Sequence, residues 1–265
     1  MWKVNLGATG LPVSRLSLGT DTRLDRDTGA RLLQRAFELG VNFWDTDETY
    51  GTHPSIQKAL KRLDRSQVVI TAKTYKMDRE GARRSVEHSL REMETEYIDI
   101  FLLHAIDSAR QFQEHGGALE ALLEAKEGGL IRAVGLSTHA LEMVEAIPEI
   151  PEIEVVLAVL NLGGERIIRG GRSQEEMEEA LRRSYEAGQG VYLMKVLARG
   201  RLARDLESAL GYALGLPYVH SVCVGMKTIR ELEMNIAIVN RQVAGAKYHS
   251  TPSARSDPCL PGRHL

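Results

Sequence analysis

The sequence predicts one α/β domain of the (β/α)8 class, in which eight parallel strands close into a barrel, helices lie outside, and an N-terminal β-hairpin caps one end. Three observations predict it. Short apolar runs and helical-period segments alternate eight times between residues 14 and 240, at a repeat of roughly 30 residues. No break in composition divides that stretch, and 265 residues is an ordinary length for one such barrel. The turn after the first strand lacks a G-x-G-x-x-G pattern, which favours closure over a doubly wound open sheet.

The elements follow in order. Residues 1 to 12 place turn signals at Gly7, Gly10 and Pro12 between short apolar positions, as a capping hairpin requires. SRLSLGT (14 to 20) is the first barrel strand. Asp27 is placed to cap the next helix, whose Ala30, Leu33 and Phe37 recur at helical spacing before Gly40 ends it. The second strand begins at Val41. A helix over about 54 to 64, the strand VVITAK (68 to 73), and a helix over about 78 to 93 with Ala82, Val86, Leu90 and Met93 on one face come next. IDIFLLH (98 to 104) is the fourth strand, and a helix over about 116 to 127 is stopped by Gly128-Gly129. RAVGLST (132 to 138), a short helix over about 140 to 147 ended by Pro148, and VVLAVLN (155 to 161) continue the pattern. Ser173 and Glu176 form a capping box for a helix ending near Gly188, followed by GVYLMKV (190 to 196) and a helix over about 204 to 214. SVCVGM (221 to 226) is the last strand, and Thr228 with Glu231 boxes a final helix through Val239. The barrel domain is read as 1 to 240. Residues 241 to 265 turn to Pro, Ser, Arg and His without period and are read as a tail, either disordered or covering the barrel mouth.

Composition excludes several function classes. With 34 basic and 36 acidic residues and no block of like charge, neither nucleic acid nor a membrane surface is expected as a partner, and a small-molecule site is. Cys223 and Cys259 have no C-x-x-C spacing, so no metal site is expected and a reduced, cytoplasmic setting is. The N-terminus lacks the apolar core of a signal peptide, and no run approaches the ~18 apolar residues of a membrane span. His53, His88, His115, His139 and His220 fall on turns, loops or helices without metal-ligand spacing and are read as surface or structural. Nothing in the sequence sets the oligomeric state.

The chain is organised around VNFWDTDETYG (41 to 51), an apolar strand that breaks at Asp45 into a polar turn ending in Tyr50-Gly51. The next two strands end the same way, at Lys73 and at His104. Active sites in this class lie at the carboxyl ends of the strands. Period-2 alternation puts Phe43 with Asp45, Val69 and Thr71 with Lys73, and Ile100 and Leu102 with His104, so one inward-facing set gathers all three polar ends. Trp44 falls on the opposite face and is read as packing. Asp45 and Lys73 alone would suit a structural ion pair. Tyr50 and His104 at their spacings turn the set toward chemistry. A lysine ammonium stabilises a nearby phenolate and lowers a tyrosine's pKa from about 10, which suits a general acid. Asp45 would hold Lys73 charged, and a neutral His104 could donate a hydrogen bond to a carbonyl oxygen.

In these residues the chain resembles the aldo-keto reductases. Asp45, Tyr50, Lys73 and His104 match that family's catalytic tetrad in identity, order and strand position, and the likeness runs from LGATGLPVSRLSLGT through GLIRAVGLSTH to VGMKTIRELEMN. The resemblance implies the TIM-barrel fold, a small carbonyl substrate and a reduced nicotinamide as hydride donor, NADPH in preference to NADH. It implies that Thr20, Asp21, Ser137, Thr138, Met194, Gly225, Lys227, Thr228, Arg230 and Asn235 contact that cofactor. Lys227 and Arg230 stand in a helix's first turn, where cations oppose the dipole unless an anion is bound. Thr138 stands where the family has asparagine, and Leu157 where it has glutamine. Those departures leave a second function class, a nicotinamide-binding sensor or regulatory protein with little turnover.

Overall fold

The computed structural model describes residues 1–20, 23–167 and 174–249, with side chains from 243 onward excepted. A hairpin of β1 (Lys3–Asn5) and β2 (Pro12–Ser14) precedes the barrel strands β3 (Leu16–Gly19), β4 (Phe43–Asp45), β5 (Val69–Thr74), β6 (Ile98–Leu103), β7 (Ile131–Thr138), β8 (Val155–Val159), β9 (Gly190–Met194) and β10 (Ser221–Gly225). Each barrel strand pairs in parallel with the next, and β10 closes on β3. Outside lie α1 (Arg26–Glu38), α2 (His53–Leu60), α3 (Arg79–Met93), α4 (Ala109–Glu114), α5 (Gly116–Glu127), α6 (Leu141–Ala146), α7 (Gln174–Glu186), α8 (Leu206–Gly215) and α9 (Ile229–His249). No helix among the described residues is long and apolar enough to cross a membrane.

Alternation along the strands separates two cores. Phe43, Val69, Ile100, Leu102, Ala133, Val155, Leu157 and Tyr192 fill the barrel interior. Leu18, Trp44, Ile70, Phe101 and Leu103 face outward against Leu33, Ala36, Ile56 and Val86 of the helices. Each large aliphatic or aromatic side chain so buried stabilises the fold by roughly 1.5–3 kcal/mol. The hairpin plugs the floor with Leu6, Leu11 and Val13, which pack with the interior set. Gly7 makes the closest approach there, at φ 54, where a Cβ would stand 2.4 Å from the Gly190 amide nitrogen. Its own amide donates to His220 Nε2 at 3.1 Å, and burial pushes that imidazole down to about 4. A neutral His220 therefore ties hairpin to barrel, a structural role as the sequence reading had it.

Local departures from the sequence reading have simple causes. Asp25, not Asp27, caps α1: its carboxylate accepts from the Asp27 and Thr28 amides while its own backbone stays extended. Asp27 sits in the first turn and pairs with Lys58. The final helix extends to His249 rather than ending at Val239. The box of Thr228 and Glu231 forms as expected. Ser173 lies outside the described residues. His53 and His88, remote in sequence, meet at Glu92, at 3.1 and 3.4 Å, because α2 packs on α3.

One buried charge on the outer layer was not anticipated. Asp99, on the outward face of β6, is fully buried and accepts from Arg65 at 2.8 Å, Arg132 at 3.0 Å and the Ile70 amide at 3.0 Å. It clamps β6 to β5 and to β7. Asp99→Ala leaves the buried Ile70 amide without its acceptor and takes one partner from Arg65, which keeps the Val68 and Tyr97 carbonyls, and from half-exposed Arg132; it is expected to lower the unfolding free energy in a urea titration by roughly 2 kcal/mol. A change within about 0.5 kcal/mol would mean that the clamp contributes nothing net.

Candidate active site

Three neighbouring strands deliver the polar residues. Register places Asp45 beside Thr71 and Lys73 beside Leu102, and His104 follows directly on β6, so their inward side chains rise to one level at the carboxyl end. The Lys73 ammonium donates to Asp45 Oδ1 at 2.6 Å and to the Thr46 carbonyl at 2.7 Å. The two side chains are only 1% and 7% exposed. The Tyr192 hydroxyl donates to Asp45 Oδ2 at 2.9 Å, so both carboxylate oxygens are used. Burial, and after it the Asp45 charge, holds the Tyr192 phenol well above its ordinary value, so it remains a neutral donor. A buried ion pair persists only when its remaining hydrogen-bonding capacity is met in this way.

Tyr50 arrives on a short 3-10 turn, Glu48–Tyr50, which Asp47 caps and Gly51 ends at φ 68. The turn brings the Tyr50 ring beneath Lys73, whose nitrogen lies 5.2 Å from the ring centre. His104 stands edge-on to Tyr50 with ring centres 6.4 Å apart, and stacks on Tyr75 at 4.2 Å. Its Nδ1 meets Asp47 Oδ2 at 2.5 Å. Burial raises the Asp47 carboxyl, but hydrogen bonds from His104 and Thr49 outweigh it and hold the group below the usual carboxylate range. Asp45, Tyr50, Lys73 and His104 thus come together in the wall of one cleft of about 970 Å³.

The residues read as cofactor contacts divide. Met194, Gly225, Lys227 and Asn235 line the same cleft. Thr20 lies beneath it, hydrogen-bonded to the Asp45 carbonyl at 3.0 Å and to the Thr52 hydroxyl at 2.9 Å. Ser137 is fully buried with its hydroxyl accepting from the Ala105 amide at 2.9 Å, and Thr138 is equally buried and donates to Asp107 at 3.1 Å. Neither is in the cleft lining. Thr228 is used by the cap of α9, Arg230 is exposed beside it, and Asp21 lies outside the described residues. Leu157 presents an apolar surface to the cleft.

Several cleft residues escaped the sequence reading. His139, read as surface or structural, lines the cleft because β7 ends at Thr138 and leaves it at the strand's carboxyl end, the signal that had marked His104. It contacts the Lys195 ammonium, and its amide donates to Asp107 at 2.6 Å. Burial, reinforced by Arg199, pushes Lys195 down to about 8. Lys195, Ala198 and Arg199 all adopt left-handed backbone without being glycine, at φ 55, 46 and 57, a concentration of strain in the segment that bounds the cleft. Tyr75, in the same lining, and the fully buried Asp47 and Tyr192 were likewise unmarked.

Comparison with known proteins agrees with this geometry. The model of the aldo/keto reductase family matches residues 14–207. L-galactose dehydrogenase of Arabidopsis thaliana is 25% identical over 284 residues, covering 88% of this chain and 86% of that protein. An NADH-specific methylglyoxal reductase of Escherichia coli is 27% identical over 190 residues, covering 60% of this chain and 58% of that protein. A solved structure from Pseudomonas aeruginosa, described as an aldo-keto reductase, superposes with a TM-score of 0.77 at 28% identity, over 91% of this chain and 96% of that one. The chain belongs to the aldo/keto reductase family and is a nicotinamide-dependent oxidoreductase of small carbonyl compounds.

Proposed function

We propose that the protein reduces aldehydes or ketones to alcohols with NADPH as donor and Tyr50 as general acid. The convergence of Asp45, Tyr50, Lys73 and His104 on one cleft wall carries this reading. The cleft has the size of a cofactor site, and its far wall supports a dinucleotide. Asn235 Oδ1 is buried with no hydrogen-bond partner while its Nδ2 donates to the Glu231 carbonyl at 2.8 Å, and an adenine amine would satisfy the free acceptor. Met194, Lys195, Arg199, Gly225, Lys227 and Asn235 would hold the dinucleotide, with the cations facing its phosphates.

When bound, a reduced nicotinamide supplies a hydride to the carbonyl carbon. Tyr50 gives the oxygen its proton, and the Lys73 charge against its ring stabilises the phenolate left behind. Asp45, Tyr192 and the Thr46 carbonyl fix that ammonium, so no reorganisation is needed as charge develops. Leu157 and Met194 supply an apolar wall that displaces water from the reacting atoms.

Fluorescence titration with NADPH and NADH, followed by addition of an aromatic aldehyde, tests the reading. NADPH is expected to bind at least about tenfold tighter, a difference of 1.4 kcal/mol, and to be oxidised on adding the aldehyde. Lys227→Ala should remove about tenfold from NADPH affinity and leave NADH unchanged, the worth of one charge-assisted hydrogen bond. A second reading has its own observation. Glu231 already accepts from the Lys227 amide at 2.7 Å and the Thr228 amide at 3.3 Å, and a carboxylate there suits a ribose hydroxyl better than a phosphate. Tighter NADH in the same titration would select it.

A further inference from the structure

We propose that Asp47 is a positioning residue for His104: it commits Nδ1 to be a donor, so that Nε2, the nitrogen left for the cleft, can donate to a carbonyl oxygen only when the ring is an imidazolium. This rests on the reading of the cleft as a carbonyl-reducing site.

The argument is one of hydrogen counting. Asp47 is completely buried, and its Oδ1 already accepts from the Thr49 amide at 2.7 Å and the Thr49 hydroxyl at 2.5 Å. Its Oδ2 faces His104 Nδ1 at 2.5 Å. Donors surround this carboxyl, and it is held below the usual carboxylate range, so it is an anion with no hydrogen to offer. The hydrogen between Asp47 and His104 therefore belongs to Nδ1. A neutral imidazole carries one hydrogen, and Nε2 is then a lone pair. The expectation of a neutral His104 donating to a carbonyl oxygen is incompatible with this partner. A neutral ring instead presents an acceptor to the cleft, 3.4 Å from the Tyr75 hydroxyl, suited to the hydroxyl of an alcohol.

The charged and titratable groups around the ring are few. Asp47 and Tyr50 come from the turn after β4. Lys73 and Tyr75 come from β5 and the residue beyond it, and Lys73 is ion-paired with Asp45. Asp47 is the carboxylate hydrogen-bonded to the imidazole, and Tyr75 stacks on the ring at 21°, so the ring flip that would put Cδ2 in the place of Nδ1 is opposed from two sides. Proton transfer stays with Tyr50. His104 polarises and orients: a charged ring donates from Nε2 to a carbonyl oxygen, and a neutral ring accepts there from an alcohol hydroxyl.

The test is a nitrogen-15 spectrum of the imidazoles of the full chain without nucleotide, titrated with pH and assigned with His104→Gln. Nδ1 of His104 is expected to keep its hydrogen throughout, with Nε2 alone gaining and losing one. A neutral ring protonated at Nε2 overturns the proposal, and the wild-type spectrum decides this even if a variant fails to fold. In Asp47→Asn the two tautomers should mix, kcat/KM for reduction should fall at least about tenfold with nucleotide affinity unchanged, and its decline on the alkaline side should move to lower pH. A variant whose pH profile superimposes on the wild type also overturns it. Should the wild type reduce no carbonyl with either nucleotide while Nδ1 keeps its hydrogen, the reductase reading fails and the role of Asp47 stands.

Discussion

Tyr50→Phe is expected to lower kcat/KM for aldehyde reduction by about 10³-fold while leaving nucleotide affinity within about twofold, since a positioned general acid contributes 10²–10⁴. The ring is retained, and with it the face that Lys73 covers at 5.2 Å and the edge presented to His104. Only the hydroxyl is removed. Loss of turnover with intact binding assigns the proton to that atom. A loss below about tenfold would shift proton donation to another group, and His104 would be the first to examine. The same variant separates enzyme from sensor. A protein that bound nucleotide without turnover would be indifferent to it, whereas the reductase stops and still binds.

Lys73→Met has the larger structural consequence. It removes the cation from a carboxylate that is 7% exposed and leaves Asp45 with the Tyr192 hydroxyl as its side-chain donor. Removing one partner of a buried pair costs about 3–5 kcal/mol, because the other charge stays desolvated. Urea unfolding should show that loss, and activity should vanish with the phenolate's stabiliser. Combining Lys73→Met with Asp45→Asn should recover much of the stability, since no uncompensated charge is left, and none of the activity. A double variant as unstable as the single one would show that packing around Lys73, not its charge, was lost. The outcome bears on the whole barrel, because Asp45 joins residues 147 apart in the chain through Tyr192.

What the amino-acid sequence determined by itself is what short-range periodicity carries. Period-2 alternation over the inward sets ending in Asp45, Lys73 and His104 made the common inward face legible, and the apolar runs with one polar terminus marked where the cleft would open. Trp44 on the outer layer and the box of Thr228 with Glu231 were legible for the same reason: each is decided within one element. The choice of Asp27 over Asp25 failed at that scale only because both are acidic and two residues apart, and the cap depends on which one stays extended. The tertiary structure alone decided the partners. Asp47 reaches His104 across 57 residues, Lys195 reaches His139 across 56, and Asp99 finds donors on β5 and β7. It also gave the Ser137 and Thr138 hydroxyls buried backbone and carboxylate partners. The physical reason is that a hydrogen bond is specified to tenths of an ångström, while alternation specifies only which face a side chain takes. Barrel closure, through strand register, supplies the missing coordinate.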